Sequence, residues 1–316
     1  MKTPPLLAIH GGAGTLRRRQ MDAVREARYR EALQAVLAGA GNLLARGAPA
    51  LDVVCEAVRL LEECELFNAG KGAVYTAAGR HELDASVMDG HGLRAGAVAG
   101  LSRTRNPVLA ARAVLERGEH LMFCGPAADD YAAALGLEQV DNGWFGTPER
   151  FAQLRAAQAL GAAAVLDHDG QDLTDRGRFG TVGAVALDGD GHLAAATSTG
   201  GMTNKRPGRV GDTPLIGAGC YANDASVAVS CTGTGEAFIR CLAAYEVSAL
   251  VQHRGLDLRR AAQTVVHERL PAVQGEGGLI AVSSRGEFCL PFNTEGMYRG
   301  WWRLDGSPQV AIYGDE

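Results

Sequence analysis

Phe179-Gly180-Thr181-Val182-Gly183-Ala184-Val185-Ala186-Leu187-Asp188 is where the chain turns from polar to apolar. The residues before it, Asp167 to Arg178, are mostly polar and include Gly170 and Gly177. Those after Thr181 are small, apolar and β-branched. A hydroxyl residue therefore stands where a loop gives way to a buried strand. On the residues alone two readings are open. A threonine that begins a strand is commonplace. The other reading is that the Gly180–Thr181 bond is cut, so that Thr181 becomes an N-terminus whose own α-amino group can take its hydroxyl proton.

Downstream, Val182–Leu187 and Leu193–Ser198 form two β runs joined by Asp188-Gly189-Asp190-Gly191, the strongest hairpin signal in the chain. Pairing of these runs would bring Thr199 near Thr181, although Thr is also simply a good strand former. Arg209 and Asp212 follow on a Pro/Gly-rich loop. They read either as a surface ion pair or as a guanidinium for a carboxylate and a carboxylate for an ammonium. Ser226–Cys231 reads as a strand entering Thr232-Gly233-Thr234-Gly235-Glu236, which opens a helix over Ala237–Leu250. Backbone N–H groups at such a start can hold an anion or oxyanion. A dinucleotide fingerprint is excluded, because Ile239 replaces its third glycine. A helix over Leu256–Leu270 and a strand pair, Leu279–Val282 with Glu287–Phe292, complete this half.

Upstream, Val165–Gly180 is the one convincing linker. Leu6–Ile9 predicts a short strand running into the loop His10-Gly11-Gly12-Ala13-Gly14, read as a structural turn. Helical spacing covers Met21–Arg46 and Leu51–Glu63, enough to cover one face of a sheet. Asn68 sits in the Gly-flanked loop Phe67–Val74, as a turn residue or as a polar group on a stiff loop. His81–Gly90 and Leu93–Leu101 read as strands, with Asp84 and Asp89 on opposite faces and structural. Helices are expected over Pro107–Glu116, Pro126–Leu135 and from a Thr147 cap to about Leu160.

The 316 residues carry a formal net charge of -5, with 47% hydrophobic and 21% charged residues. This gives no basic footprint for nucleic acid, and no apolar run is long enough to span a bilayer. The first ten residues lack the apolar core of a signal peptide. The seven cysteines form no CxxC pair and suit free thiols in the cytoplasm. Neither HExxH nor paired CxxC occurs, so no zinc site is expected.

Taken together, His10–Gly14, Phe67–Gly70, Gly180–Val185, Thr197–Gly201, Gly208–Asp212, Cys231–Glu236 and Pro291–Gly296 resemble the plant-type L-asparaginase and isoaspartyl peptidase family of N-terminal nucleophile hydrolases. The likeness spans essentially the whole chain and weakens only before Gly180. It implies an α+β fold, a four-layer αββα sandwich forming one domain over residues 1–316. It also implies self-cleavage into an α chain, 1–180, with a flexible linker over about 161–180, and a β chain, 181–316. Assembly is expected as a dimer of such pairs. By resemblance, Thr181 is the nucleophile, Thr199 and Thr232 are the site's further hydroxyls, and Asn68 with the Thr232–Gly233 region forms the oxyanion side. Arg209 would take the substrate α-carboxylate; Asp212, with the backbone at Gly233 and Gly235, would take the α-amino group. The implied substrates are asparagine and β-aspartyl dipeptides, and catalysis needs no cofactor. The resemblance also allows a structural sodium ion on the backbone of Leu61, Glu62, Cys64, Phe67, Ala69 and Lys71, with Lys71 at a position that varies in the family.

Besides a threonine protease with protein substrates, which should lack the Arg209/Asp212 clamp, two other functions compete. One is a glycosylasparaginase-type amidase, against which the thiol-type cysteines and the missing signal peptide weigh. The other is a non-catalytic amino-acid binder, which would need no cleavage at Thr181.

Overall fold

The computed structural model describes residues 3–14, 18, 21–161 and 180–316. The linker read over 165–180 therefore lies outside the described residues except for Gly180.

The first strand, β1 (Leu6–Gly14), continues straight through the glycine-rich segment that the sequence reads as a turn. It stays paired with β11 (Gly296–Arg303) across a bulge between His10 and Gly12. The bulge re-aims the chain without ending the ladder. Gly12 has φ +114°, a conformation open to glycine.

Helix α1 (Ala23–Ala45) starts where the Asp22 side chain accepts from Arg25 N at 2.8 Å. It buries Tyr29, Leu33, Val36, Leu37, Ala40 and Leu44, one stripe at helical spacing. Helix α2 (Ala50–Glu63) follows and packs beside it. Strands β2 (Leu83–Asp89) and β3 (Arg94–Leu101) form a hairpin, followed by α3 (Pro107–Arg117), β4 (Met122–Cys124), α4 (Pro126–Ala134) and α5 (Pro148–Ala159). The second half opens with the expected hairpin, β5 (Val182–Leu187) and β6 (Leu193–Thr199), then β7 (Cys220–Ala222) and β8 (Val227–Gly233).

The helix expected over Ala237–Leu250 is two helices, α6 (Gly235–Cys241) and α7 (Ala243–Arg254). They break at Leu242, whose φ of +47° no α-helix accommodates. The helix expected over Leu256–Leu270 is α8 (Leu258–Thr264) continued by a π turn over Val265–Arg269. Strands β9 (Gly277–Ser283), β10 (Phe288–Cys289), β11 and β12 (Gln309–Tyr313) close the chain.

The protein is a mixed α/β structure with a large mixed sheet. Eight strands run in the order β12-β11-β1-β5-β6-β2-β3-β4, and a second sheet runs β10-β9-β8-β7. Only the β3–β4 pair is parallel among the described pairs. Helices α1, α2 and α3 pack on the large sheet, and α7 and α8 on the small one. Strands β1, β5 and β6 pack on β8 and β9. Alternate residues of β1 serve the two sides: Leu7 and Ile9 join the core under α1–α3, while Leu6 and Ala8 join the core shared with the small sheet. Burying each such leucine or isoleucine side chain contributes about 1.5–3 kcal/mol. In the large sheet, strands from before and after Gly180 interleave: β12 and β11, then β1, then β5 and β6, then β2 to β4. Among the described residues, no helix is long and apolar enough to cross a membrane. All seven cysteines are free thiols.

Candidate active site

Thr181 stands one residue before β5, at the seam where β1, β8 and the loop after β6 meet. It is 7% exposed. Its neighbour Gly180 is wedged between two backbones: a Cβ on Gly12 would lie 2.7 Å from Gly180 N, and a Cβ on Gly180 would lie 2.3 Å from Thr232 Oγ1. No side chain fits at either position. Thr232, at the end of β8, is wholly buried, and its hydroxyl accepts from Ala13 N at 3.2 Å. The structure thus brings Thr232 against Gly180, beside the Gly180–Thr181 bond.

The β5–β6 ladder pairs Val182 with Ser198, so Thr199 ends its strand beside Thr181. The Thr199 hydroxyl accepts from Gly201 N at 2.9 Å. Among the described residues, the Thr213 hydroxyl lies within reach of Thr181, at 3.4 Å between Oγ1 atoms. Thr213, fully buried between Asp212 and Pro214, is a site residue that the sequence reading missed. Its signal was its place directly after the expected clamp residue.

Asn68 is fully buried and ties its loop to the exit of β6. Its Nδ2 donates to Gly201 O at 2.7 Å, its Oδ1 accepts from Val74 N at 3.0 Å, and its carbonyl accepts from Gly200 N at 3.1 Å. An amide so fixed is a preorganised group rather than a loose turn residue.

Arg209 and Asp212 converge on Gly235. A Cβ there would lie 2.9 Å from both Arg209 Nη2 and Asp212 Oδ1. The two do not form the simple ion pair of the bland reading: Arg209 instead holds Glu236. Asp212 is 3% exposed, and its Oδ2 has no hydrogen-bond partner among the described residues. Burial pushes its carboxyl up to about 7. A buried carboxylate oxygen without a partner is costly unless a ligand supplies one. Gly233, with φ +146°, passes so close to β9 that a Cβ would meet Glu276 O at 2.2 Å.

Behind Thr181 lies a buried polar row linking the two sheets. His10 Nε2 is 2.9 Å from Ser230 Oγ, which is 2.8 Å from Thr197 Oγ1. Burial lowers the His10 pKa to about 3, so the ring is neutral. A Cβ on Gly183 would meet Ser230 Oγ at 1.9 Å, so β5 needs glycine here. The sequence reading missed this row because His10 lay inside a segment read as a turn.

The loop after α2 offers backbone carbonyls, hard oxygen donors of the kind an alkali cation takes. It closes on itself through Lys71 N donating to Glu62 O at 2.6 Å. Gly70, at φ +50°, is required there, since a Cβ would meet Glu62 O at 2.4 Å. Leu61 O and Cys64 O each accept one backbone N–H, and a carbonyl has two lone pairs. The Lys71 ammonium donates to Trp144 O at 2.9 Å.

The sequence model of the asparaginase family matches residues 3–312. The chain is 60% identical over 308 residues to the isoaspartyl peptidase of Escherichia coli (strain K12), covering 98% of this chain and 96% of that protein. It is 58% identical to the isoaspartyl peptidase of Salmonella typhimurium, covering 98% of each. It is 40% identical over 301 residues to a plant-type L-asparaginase of Pyrobaculum calidifontis, covering 93% and 96%. The chain belongs to the asparaginase family, a family of amide-bond hydrolases.

Proposed function

We propose that this protein is a self-cleaving threonine amidohydrolase that converts isoaspartyl dipeptides and L-asparagine to L-aspartate. It would be built as a four-layer αββα sandwich, cut between Gly180 and Thr181, and assembled in the cytoplasm as a dimer of the resulting αβ pairs. The observation that carries this reading is Asp212 Oδ2, buried and without a partner among the described residues, one residue from the hydroxyl that contacts Thr181. An α-amino acid unit supplies the missing ammonium, and its α-carboxylate suits Arg209.

In the precursor, the Thr181 hydroxyl attacks the Gly180 carbonyl and the peptide bond becomes an ester. Water then hydrolyses the ester and leaves Thr181 with a free amine. That amine, with a pKa of about 7.7–8 for an ordinary α-amino group, is a base near neutral pH. In turnover it takes the Thr181 hydroxyl proton as the oxygen attacks the β-carbonyl of the aspartyl unit. Asn68 and the Thr232–Gly233 region hold the oxyanion, and the proton passes to the leaving ammonia or amino acid. Water hydrolyses the β-aspartyl ester and aspartate departs. A sodium ion held by the carbonyls of the 61–71 loop would stiffen the segment carrying Asn68.

Purified wild-type protein on a denaturing gel should give two bands, with the masses of residues 1–180 and 181–316. Thr181→Ala should give one band and no hydrolysis. Thr181→Ser keeps the hydroxyl but loses the methyl that restricts its rotamer, so it should cut and turn over more slowly. An Ala variant that still splits at this bond, or hydrolyses β-aspartyl substrates at the wild-type rate, defeats the proposal.

A further inference from the structure

At the end of the β5–β6 hairpin remote from Thr181, three turns meet. His91 lies in the β2–β3 turn, His192 in the β5–β6 turn and Asp224 between β7 and β8. One donor atom from each lies within 4.8 Å of the others. His192 Nδ1 is 2.8 Å from Asp224 Oδ2, and His91 Nδ1 is 3.7 Å from the same oxygen. We propose that these residues form a binding site for a divalent transition metal of the zinc class.

The turns are held in place by their own backbones. Gly90 N donates to Leu193 O at 2.7 Å, Asp224 N donates to Gly90 O at 3.3 Å, and Leu193 N donates to Asp224 Oδ1 at 2.8 Å. The last bond fixes the carboxylate and leaves Oδ2 toward the two imidazoles. Gly90 is needed for this approach, since a Cβ would lie 2.5 Å from Asp224 Oδ1. Zinc-to-ligand bonds of about 2.0–2.1 Å put tetrahedral donors roughly 3.3 Å apart. The separations of 2.8 and 3.7 Å bracket that value and the two imidazole donors lie within 4.8 Å of each other, so side-chain rotations bring all three to one ion.

Two imidazoles and one carboxylate select zinc, copper or nickel over magnesium and calcium, which take oxygen donors. The ion would replace the proton that His192 shares with Asp224. It would also tie the large sheet, through its β2–β3 and β5–β6 turns, to the small sheet. No local motif announces the site, because its residues come from three distant turns. The absence of HExxH and paired CxxC therefore does not exclude it.

The test uses the full chain, stripped with EDTA and carrying Cys124→Ser, because Cys124 is an exposed thiol that can itself capture zinc. Titration with Zn2+ in a calorimeter should show one ion per chain, and Zn2+ should raise the unfolding temperature. Co2+ substitution should give visible d–d bands. His91→Ala removes an exposed ligand, and Asp224→Asn keeps an acceptor for Leu193 N. Each should weaken Zn2+ binding at least about tenfold while hydrolysis stays at the wild-type rate. No saturable binding at submillimolar Zn2+, or equal affinity in both variants, overturns the proposal.

Discussion

Arg209 grips Glu236 side-on, with Nε 2.9 Å from Oε1 and Nη2 2.8 Å from Oε2. A guanidinium carries five N–H donors, so its other edge remains. That edge faces Gly211 and Gly235, where a Cβ would come within 2.9 Å of Nη1 and Nη2. Under the proposed function, the glycines would keep room for a substrate carboxylate, and Glu236 would steady the arginine that binds it.

Arg209→Ala should therefore cost about 1.5–3 kcal/mol of substrate binding, roughly a tenfold to hundredfold loss in kcat/KM, with self-cleavage intact. Glu236→Ala removes the exposed member of the pair and should raise KM only roughly two- to fivefold, with kcat unchanged. Steady-state kinetics on a β-aspartyl dipeptide checks both. A lowered KM in the Glu236 variant would mean that Glu236 competes with substrate instead of holding Arg209.

Asp212 predicts a pH signature. Burial raises its carboxyl to about 7, with Glu236 and Asp84 pushing the same way and Arg209 opposing them. As pH falls through that value the group gains a proton and can no longer pair with an ammonium. KM for a β-aspartyl dipeptide should rise about tenfold per pH unit below 7. A substrate without the α-amino group, such as succinamate, should lack this limb, as should Asp212→Asn. Both would keep the limb in kcat due to the Thr181 amine. Identical profiles for the two substrates would rule out the role.

If the chain cuts itself as proposed, Gly12 should control the cut. Its φ of +114° and its approach to Gly180 N leave no space for a methyl group. Gly12→Ala combines backbone strain of about 1–3 kcal/mol with displacement of the scissile residue, so the protein should stay largely uncut. Gly47→Ala is the control: its φ is +83°, but a Cβ there has nothing within 4 Å. A gel time course should show cleavage delayed in the first variant and normal in the second. Wild-type cleavage in Gly12→Ala would break the link.

Much of this architecture was legible in the chain. Helices α1–α5 and the hairpins β2–β3 and β5–β6 announce themselves through periodicity, caps and turn residues. Segments whose partners lie far away did not. Strand β1 runs through His10–Gly14 because β11 pairs with it, a fact no local pattern carries. Strand β11 itself, Gly-Met-Tyr-Arg-Gly-Trp-Trp-Arg, lacks alternation. Its Arg299 is buried because it donates to Tyr313 O and Glu316 O at 2.8 and 3.2 Å. The break at Leu242 sits in a run with ordinary helix formers. Within the candidate site, the family resemblance named Thr181, Thr199, Thr232, Asn68, Arg209 and Asp212. Thr213, Ser230 and Glu236 needed the fold to bring them in.

The interleaving of the large sheet changes what unfolding means after the proposed cut. Residues 1–180 supply β1 and the β2–β4 block, and residues 181–316 fill both sides of β1. Neither piece retains the eight-stranded sheet whole, so parting them requires breaking the β11–β1, β1–β5 and β6–β2 ladders together. Before the cut, refolding is a first-order event of one chain. After it, recovery from the unfolded state is second order, and the melting temperature depends on protein concentration. The mature enzyme would then be held together by the height of its unfolding barrier as much as by its equilibrium stability. Once heated apart in dilute solution, it would rarely find its way back.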